Sequence, residues 1–319
     1  MHPAIDHFAR DPHWTWFILF YFFFAGIAGG SYLIATLLRL RGDKGDEPVA
    51  RLGYYVTFIV LLCCPPLLII DLGQPLRFWH MMWRLTPNEP GLNFKYWSPM
   101  SLGVWGLSLF STFAAISFFE VLVRDDKLRL PIAKRAVALL DGGLGRVVNI
   151  LGSIFGLFIA GYTGVLLSVS NQPIWSDTWT LGGLFLASGL SSATAVLTIL
   201  SRYRRGAGVT HEYLHLSESY FTVLEVVMLV LFVVSLRGTG ALERTFTMPW
   251  LILWAVAIAS LIPGITGLFP TRARVAVSGH GSMDVTVHSG GAATAATMAF
   301  VLIGVICLRA AIILPVHAW

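Results

Sequence analysis

The chain reads as a series of apolar runs about 20 residues long, separated by short polar segments. The runs fall at 16–38, 53–73, 99–122, 146–168, 178–200, 218–236, 248–268 and 294–316. Each is close to the ~20 residues that a helix needs to cross a hydrocarbon core of ~30 Å. The pattern predicts an all-α integral membrane protein of about eight transmembrane helices, with almost no domain outside the bilayer. The first run, Trp14 to Leu38, is too long for the core of a signal peptide and has no convincing cleavage site, so it reads as a retained first span. Pro65-Pro66 removes two backbone donors inside the second span and predicts a kink there.

Composition leaves little room for a soluble alternative. Apolar residues make up 56% of the 319 and charged residues only 12%, about half the ~25% usual in soluble domains. The net charge of +5 is gathered in loops and does not form a nucleic-acid patch. The alternate loops around 39–51, 124–146, 202–205 and 272–274 hold 15 Lys and Arg, while Arg10, Arg77, Arg84, Lys95, Arg237 and Arg244 make up the 6 on the opposite side. The positive-inside rule then puts both termini outside the cytoplasm, which agrees with an even number of spans. The run from Phe24 to Leu33 resembles that from Leu186 to Ala195 in its small residues. Two readings fit: a parallel repeat of two four-helix bundles, 1–171 and 172–319, or recurrent close packing of membrane helices through small residues.

Polar residues are expensive in hydrocarbon, so their depth carries information. Asp71 lies at the outer end of the second span, just before Leu-Gly-Gln-Pro-Leu-Arg77-Phe. Tyr162 lies in the outer third of the fourth, below Ser168, Ser170 and Asn171. His13 and Trp14 sit at the outer mouth of the first, and Trp97, Ser98 and Pro99 open the third. Four helices thus bring donors and aromatics to one depth. A quinone head group suits such a place, because it needs a flat apolar slot, a donor for each carbonyl and a proton route. Taken singly, each residue also fits an ordinary interfacial belt, and Asp71 with Arg77 also fits a clamp on a helix end. Glu225, read about two turns into the sixth span, fits either a proton-path residue or a protonated or paired carboxyl. Arg309 reads as too far from Glu225 in depth for a direct pair, and is expected to snorkel outward or to meet an acid such as Asp71.

Other chemistries find little support. Cys63, Cys64 and Cys307 form no Cys-x-x-Cys and no Cys/His cluster, so no disulfide framework or iron–sulfur site is expected. The nine histidines fall in termini, loops or helix mouths, which argues against a haem ligated by facing helices. His211 and His215, at i,i+4 in what reads as a loop beside Glu212 and Glu218, fit a solvated helix start better than a metal site.

Asp71-Leu-Gly-Gln-Pro-Leu-Arg-Phe, Trp97-Ser-Pro-Met-Ser-Leu-Gly-Val-Trp, Gly161-Tyr-Thr-Gly-Val-Leu-Leu and Tyr21-Phe-Phe-Phe-Ala-Gly-Ile-Ala-Gly-Gly are all present. Together they resemble the NrfD/polysulfide reductase membrane subunits, closely in the first half of the chain and mainly by span count in the second. The resemblance implies a quinone-reactive anchor, with menaquinone or ubiquinone as substrate and no haem or iron–sulfur cluster of its own. It implies docking of an extracytoplasmic ferredoxin-like iron–sulfur subunit, usually coupled to a molybdopterin catalytic subunit, at a bacterial cytoplasmic membrane. On that pattern Tyr162 matches the family's quinone-contacting tyrosine and His13 its N-terminal histidine. Asp71 and Arg77 match the motif beside the docking face and a proton exit. The segment Gln74–Trp97, with Arg77, Trp79, Arg84 and Trp97, is the expected docking surface; an amphipathic interfacial segment is its other reading. Two further functions stay open: a transporter or proton-conducting subunit, for which Glu225 and Arg309 speak, and a non-redox anchor.

Overall fold

The structure, a computed structural model, describes residue 14 and residues 16–86, 89–203, 208–237, 239–266 and 291–317. Its helices are α1 (Trp16–Arg41), α2 (Glu47–Leu61), α3 (Cys64–Asp71), α4 (Pro99–Arg124), α5 (Pro131–Ala138), α6 (Gly143–Ser168), α7 (Leu181–Ser201), α8 (Gly208–Ser235), α9 (Ala241–Thr245), α10 (Trp250–Ala259), α11 (Ile262–Thr266) and α12 (Gly291–Ile313). Among the described residues, seven helical stretches are long and apolar enough to cross a bilayer, α2 and α3 together forming one of them. The run read at 248–268 is met by a shorter stretch, Trp250–Thr266, interrupted between α10 and α11. At 1.5 Å per residue it reaches about 25 Å, short of a full hydrocarbon core. The chain is an all-α integral membrane protein, in which helices satisfy their own backbone donors where no water can.

The break in the second span falls where the prolines demand it. Pro65 and Pro66 occupy the first turn of α3 and offer no N–H to the carbonyls of Leu61 and Leu62, so the helix ends at Leu61 and restarts at Cys64. Two other boundaries depart from the sequence reading. α8 starts at Gly208, ten residues before the expected 218, so His211, His215 and Glu218 are helical. The segment after α3 is not bare loop. A 3₁₀ helix (Pro75–Met81) leads into an antiparallel hairpin, β1 (Trp83–Thr86) with β2 (Glu89–Leu92), in which Trp83 pairs with Leu92.

α1 and α7 are the most enclosed spans, with 78% and 72% of their most apolar windows buried. α1 packs on α2, α6 and α7. A Cβ placed on Gly26 would stand 3.0 Å from the Gly189 Cα, and one on Gly30 would stand 2.6 Å from the Ala193 Cβ. The two runs of similar sequence therefore face each other across α1 and α7, and their small residues let the backbones meet. Buried Tyr32 ties α1 to its other neighbours. It is hydrogen-bonded to Ser117 of α4 at 2.7 Å, meets Tyr54 of α2 edge-on with centroids 5.0 Å apart, and fills the space left by Gly152 of α6.

Two nearby glycines of α6 differ in what they face. A Cβ on Gly161 would meet only ordinary contacts, 3.6 Å from the Gly182 oxygen, whereas on Gly164 it would run into the backbone of Leu181 and Gly182. Gly161→Ala is expected to be neutral or stabilising by up to ~1 kcal/mol. Gly164→Ala is expected to cost about 1–3 kcal/mol, since backbone cannot step aside as a side chain can. Thermal unfolding of the two variants in lipid nanodiscs checks the contrast.

Candidate functional site

Tyr162 sits where α1, α3, α4 and α6 converge, at the end of the bundle away from the arginines. Its ring stacks on Phe158 one turn earlier (centroids 5.5 Å apart) and lies over Gly103 of α4, where a larger residue would displace it. Its hydroxyl donates to the carbonyl oxygen of Pro99 at 2.5 Å, and the backbone N–H of Gly103 also hydrogen-bonds it. Pro99 and Gly103 are an i,i+4 pair, so the phenol bridges the first turn of α4. Ser98 caps that turn from outside, accepting from the Ser101 N–H. Buried Tyr21 of α1 lies within electrostatic range of both Tyr162 and Cys64, the first residue of α3. The structure thus brings together two tyrosines, one of which sequence reading had not singled out. Its signal was available: a tyrosine five residues into an apolar span, one position before a phenylalanine triplet.

Asp71 ends α3, about 10 Å along the axis from Cys64. The turn after it explains part of its motif. Gly73 has φ +66° with nothing close to where a Cβ would be, so glycine is there to take the left-handed conformation that stops the helix. Pro75 then starts the 3₁₀ turn, which carries exposed Arg77 and half-exposed Trp79 stacked on His80. Arg84 and Trp97 are exposed at the hairpin and just before α4. The segment forms an aromatic and basic surface at the same end as Tyr162. His13 lies outside the described residues. Its neighbour Trp14 stacks on buried Trp175 (6.0 Å), whose indole N–H donates to the Ile312 oxygen at 2.8 Å, joining the start of α1 to the end of α12.

At the opposite end, a cavity of about 490 Å³ opens among α1, α2, α4 and α6, lined by Arg39, Arg51, Glu120, Arg124, Arg146 and Asn149 among others. Sequence reading missed its central acid. Glu120 is buried in α4 and bonded by Arg39 at 3.0 Å and Arg124 at 2.8 Å, while Arg51 reaches Asp125 at 2.6 Å. Arg124 four residues after a glutamate on an apolar helix was the available sign.

Glu225 and Arg309 correct an expectation. Arg309 does not snorkel: it is fully buried, donates from Nη2 to the Phe185 oxygen at 3.3 Å and lies over the Phe185 ring, with its carbon 5.1 Å from the centroid. It also interacts electrostatically with Glu225, itself buried in α8. Both residues lie far along helices that start at the arginine-rich end, and α8 starts ten residues earlier than expected. Glu225 is about 25 Å above Gly208 and Arg309 about 27 Å above Gly291, each helix rising 1.5 Å per residue.

Residues 6–318 match the family described as polysulphide reductase, NrfD. The NrfD homolog of Haemophilus influenzae is 26% identical over 318 residues, covering 93% of this chain and 92% of that protein. A polysulfide reductase chain of Wolinella succinogenes is 26% identical over 241 residues, 71% of either protein. A shorter segment, 76 residues or 24% of this chain, is 34% identical to 18% of a selenate reductase subunit of Mesobacillus selenatarsenatis. With a match that runs from before α1 to the end of α12, this chain belongs to the NrfD polysulphide reductase family.

Proposed function

We propose that the chain is the quinone-reactive membrane subunit of a respiratory oxidoreductase complex in a bacterial cytoplasmic membrane. The relatives' names, among them components of polysulfide and selenate reductases, support the membrane-subunit role. The observation that carries the quinone reading is the buried phenol of Tyr162 bridging the start of α4, beside Tyr21 and next to the aromatic, basic segment 75–97. The electrons of a quinol leave for a cluster that must be close, so the head group belongs near the surface that receives the partner.

In this reading Tyr162 turns its hydroxyl from the Pro99 oxygen to a quinone carbonyl, while stacking on Phe158 holds the ring in place. His13 supplies the second donor. Quinol oxidation releases two electrons to an extracytoplasmic iron–sulfur subunit, itself joined to a molybdopterin catalytic subunit, and two protons that leave by Asp71, along a path that Arg77 orients by its fixed charge. Quinone reduction is the same sequence reversed. Arg77, Trp79, Arg84 and Trp97 contact the partner, the aromatics as anchors and the arginines for orientation. Residues 1–171 hold this site, and 172–319 form the second bundle.

An azidoquinone photolabel tests the proposal. Label is expected on peptides from the ends of α1, α4 and α6 near Tyr21, Pro99 and Tyr162, and excess unlabelled quinone should remove it. Label confined to the arginine-lined cavity, or label that quinone does not displace, rejects the site.

A further inference from the structure

A second set of polar groups lies away from the quinone site, in the half of the chain formed by α7, α8 and α12. Glu218, Thr222 and Glu225 are buried and spaced four and three residues apart, so they stand on one face of α8, about two turns in all. Glu218 accepts from Ser191 at 2.9 Å and from Thr194, both on α7, and hydrogen-bonds to Thr222. Thr222 faces Gly264 of α11, where any side chain would strike its hydroxyl. Glu225 is within electrostatic range of Glu218 below it and of Arg309 on α12. Oε2 of Glu225 and Nε and Nη1 of Arg309 are buried with no hydrogen-bond partner.

Charge counting decides what this arrangement holds. Two carboxylates and one guanidinium carry a net charge of −1 if all are ionised, and no other charged partner of Glu218 or Glu225 is seen among the described residues. An uncompensated charge in hydrocarbon is costly, and arginine does not give up its proton. The inexpensive state is neutral: Arg309 charged, one carboxylate, and one proton held between the two glutamates. The orphaned atoms of Glu225 and Arg309 give that proton a polar place to arrive, and Thr222, hydrogen-bonded to Glu218, stands between the two glutamates on the same face of α8.

We propose that Glu218, Thr222, Glu225 and Arg309 form an internal proton-loading site, filled from the arginine-rich end of the bundle. In the step, a proton from water at that end binds Glu218, where half-buried His215 stands one turn below. The Thr222 hydroxyl accepts it as its own proton passes to the Glu225 carboxylate, which leaves Glu218 ionised again. No electron moves and no other bond changes. The positive-inside rule assigns the arginine-rich end to the cytoplasm, so the proton comes from there. The proposal does not rest on the quinone site.

The test is infrared spectroscopy of the full-length protein in lipid nanodiscs without quinone, reading the C=O band of a protonated carboxyl and its shift in heavy water. Wild type is expected to show one such band from a buried, exchangeable acid. Glu225→Gln removes or shifts the band. Glu218→Gln also removes the band, because the Glu225 carboxylate alone then balances Arg309, while Thr222→Val keeps the band but slows its exchange about tenfold, the rate equivalent of one lost hydrogen bond. No buried protonated carboxyl in wild type overturns the proposal, as does unchanged exchange in Thr222→Val. Thr222→Val is close to isosteric and leaves all charges in place, so the test stands even if Glu225→Gln does not fold. A failed photolabel with an intact infrared result rejects the quinone reading alone.

Discussion

Tyr162→Phe is expected to lower quinol-coupled turnover about 10- to 100-fold, the usual worth of one positioned proton donor, with little loss of assembled complex. Phenylalanine keeps the ring on Phe158 and over Gly103, so the packing survives. What goes is the hydroxyl that donates to the Pro99 oxygen. That oxygen belongs to the first turn of α4 and can turn to its own i+4 amide at Gly103, so the structural cost is about 1 kcal/mol. The split between kinetic constants separates the roles. A donor used for binding alone raises KM, whereas one that steadies charge as the quinol loses electrons and protons lowers kcat as well. The check is turnover with a soluble quinol analogue, normalised to assembled complex, alongside the melting temperature. Unchanged turnover with the complex intact removes Tyr162 from the site, and equal falls in turnover and stability make it a brace for α4.

The features of the chain that can be read from its sequence are those set by local chemistry. Spans follow from the apolar runs, and the break near Leu62 follows from Pro65-Pro66, because both are properties of a few consecutive residues. Gly73 is legible for the same reason, a glycine between a helix and a proline. What could not be read depends on where helices lie relative to one another. The start of α8 was hidden because Glu212, Glu218 and the two histidines look like loop. They are helical because α8 extends toward the arginine-rich end, and there Glu218 is satisfied by Ser191 and Thr194 of α7. The same ten residues misplaced Glu225 in depth and hid that it stands within electrostatic range of Arg309. The hairpin at Trp83–Leu92 was missed since Thr86 to Pro90, Thr-Pro-Asn-Glu-Pro, where one strand ends and the next begins, reads as plain loop. The likeness of residues 24–33 to 186–195 was seen, but only the packed helices show that these two segments touch.

Arg309→Leu is expected to be the most damaging single substitution to stability, costing about 3–5 kcal/mol. The guanidinium has no exposed surface, one backbone acceptor at Phe185, two aromatic faces within about 6 Å and the Glu225 carboxylate in range. Leucine fills less of that space and strands Glu225 beside Glu218, so both carboxyls must then hold protons. Removing Arg309 together with one of the two carboxyls that share its balancing charge should therefore cost less than the sum of the two single changes. Arg309→Leu with Glu225→Gln is expected to recover about half of the loss, a coupling of roughly 1.5–2.5 kcal/mol from the buried pair. Arg309→Lys should rescue poorly, because an ammonium cannot bond the Phe185 carbonyl and lie over two rings from one planar group. Denaturant unfolding of the three variants in nanodiscs measures the cycle. Strict additivity would mean that Glu225 and Arg309 are buried near each other without holding each other's charge, and would leave the arginine as a helix–helix wedge between α12 and α7.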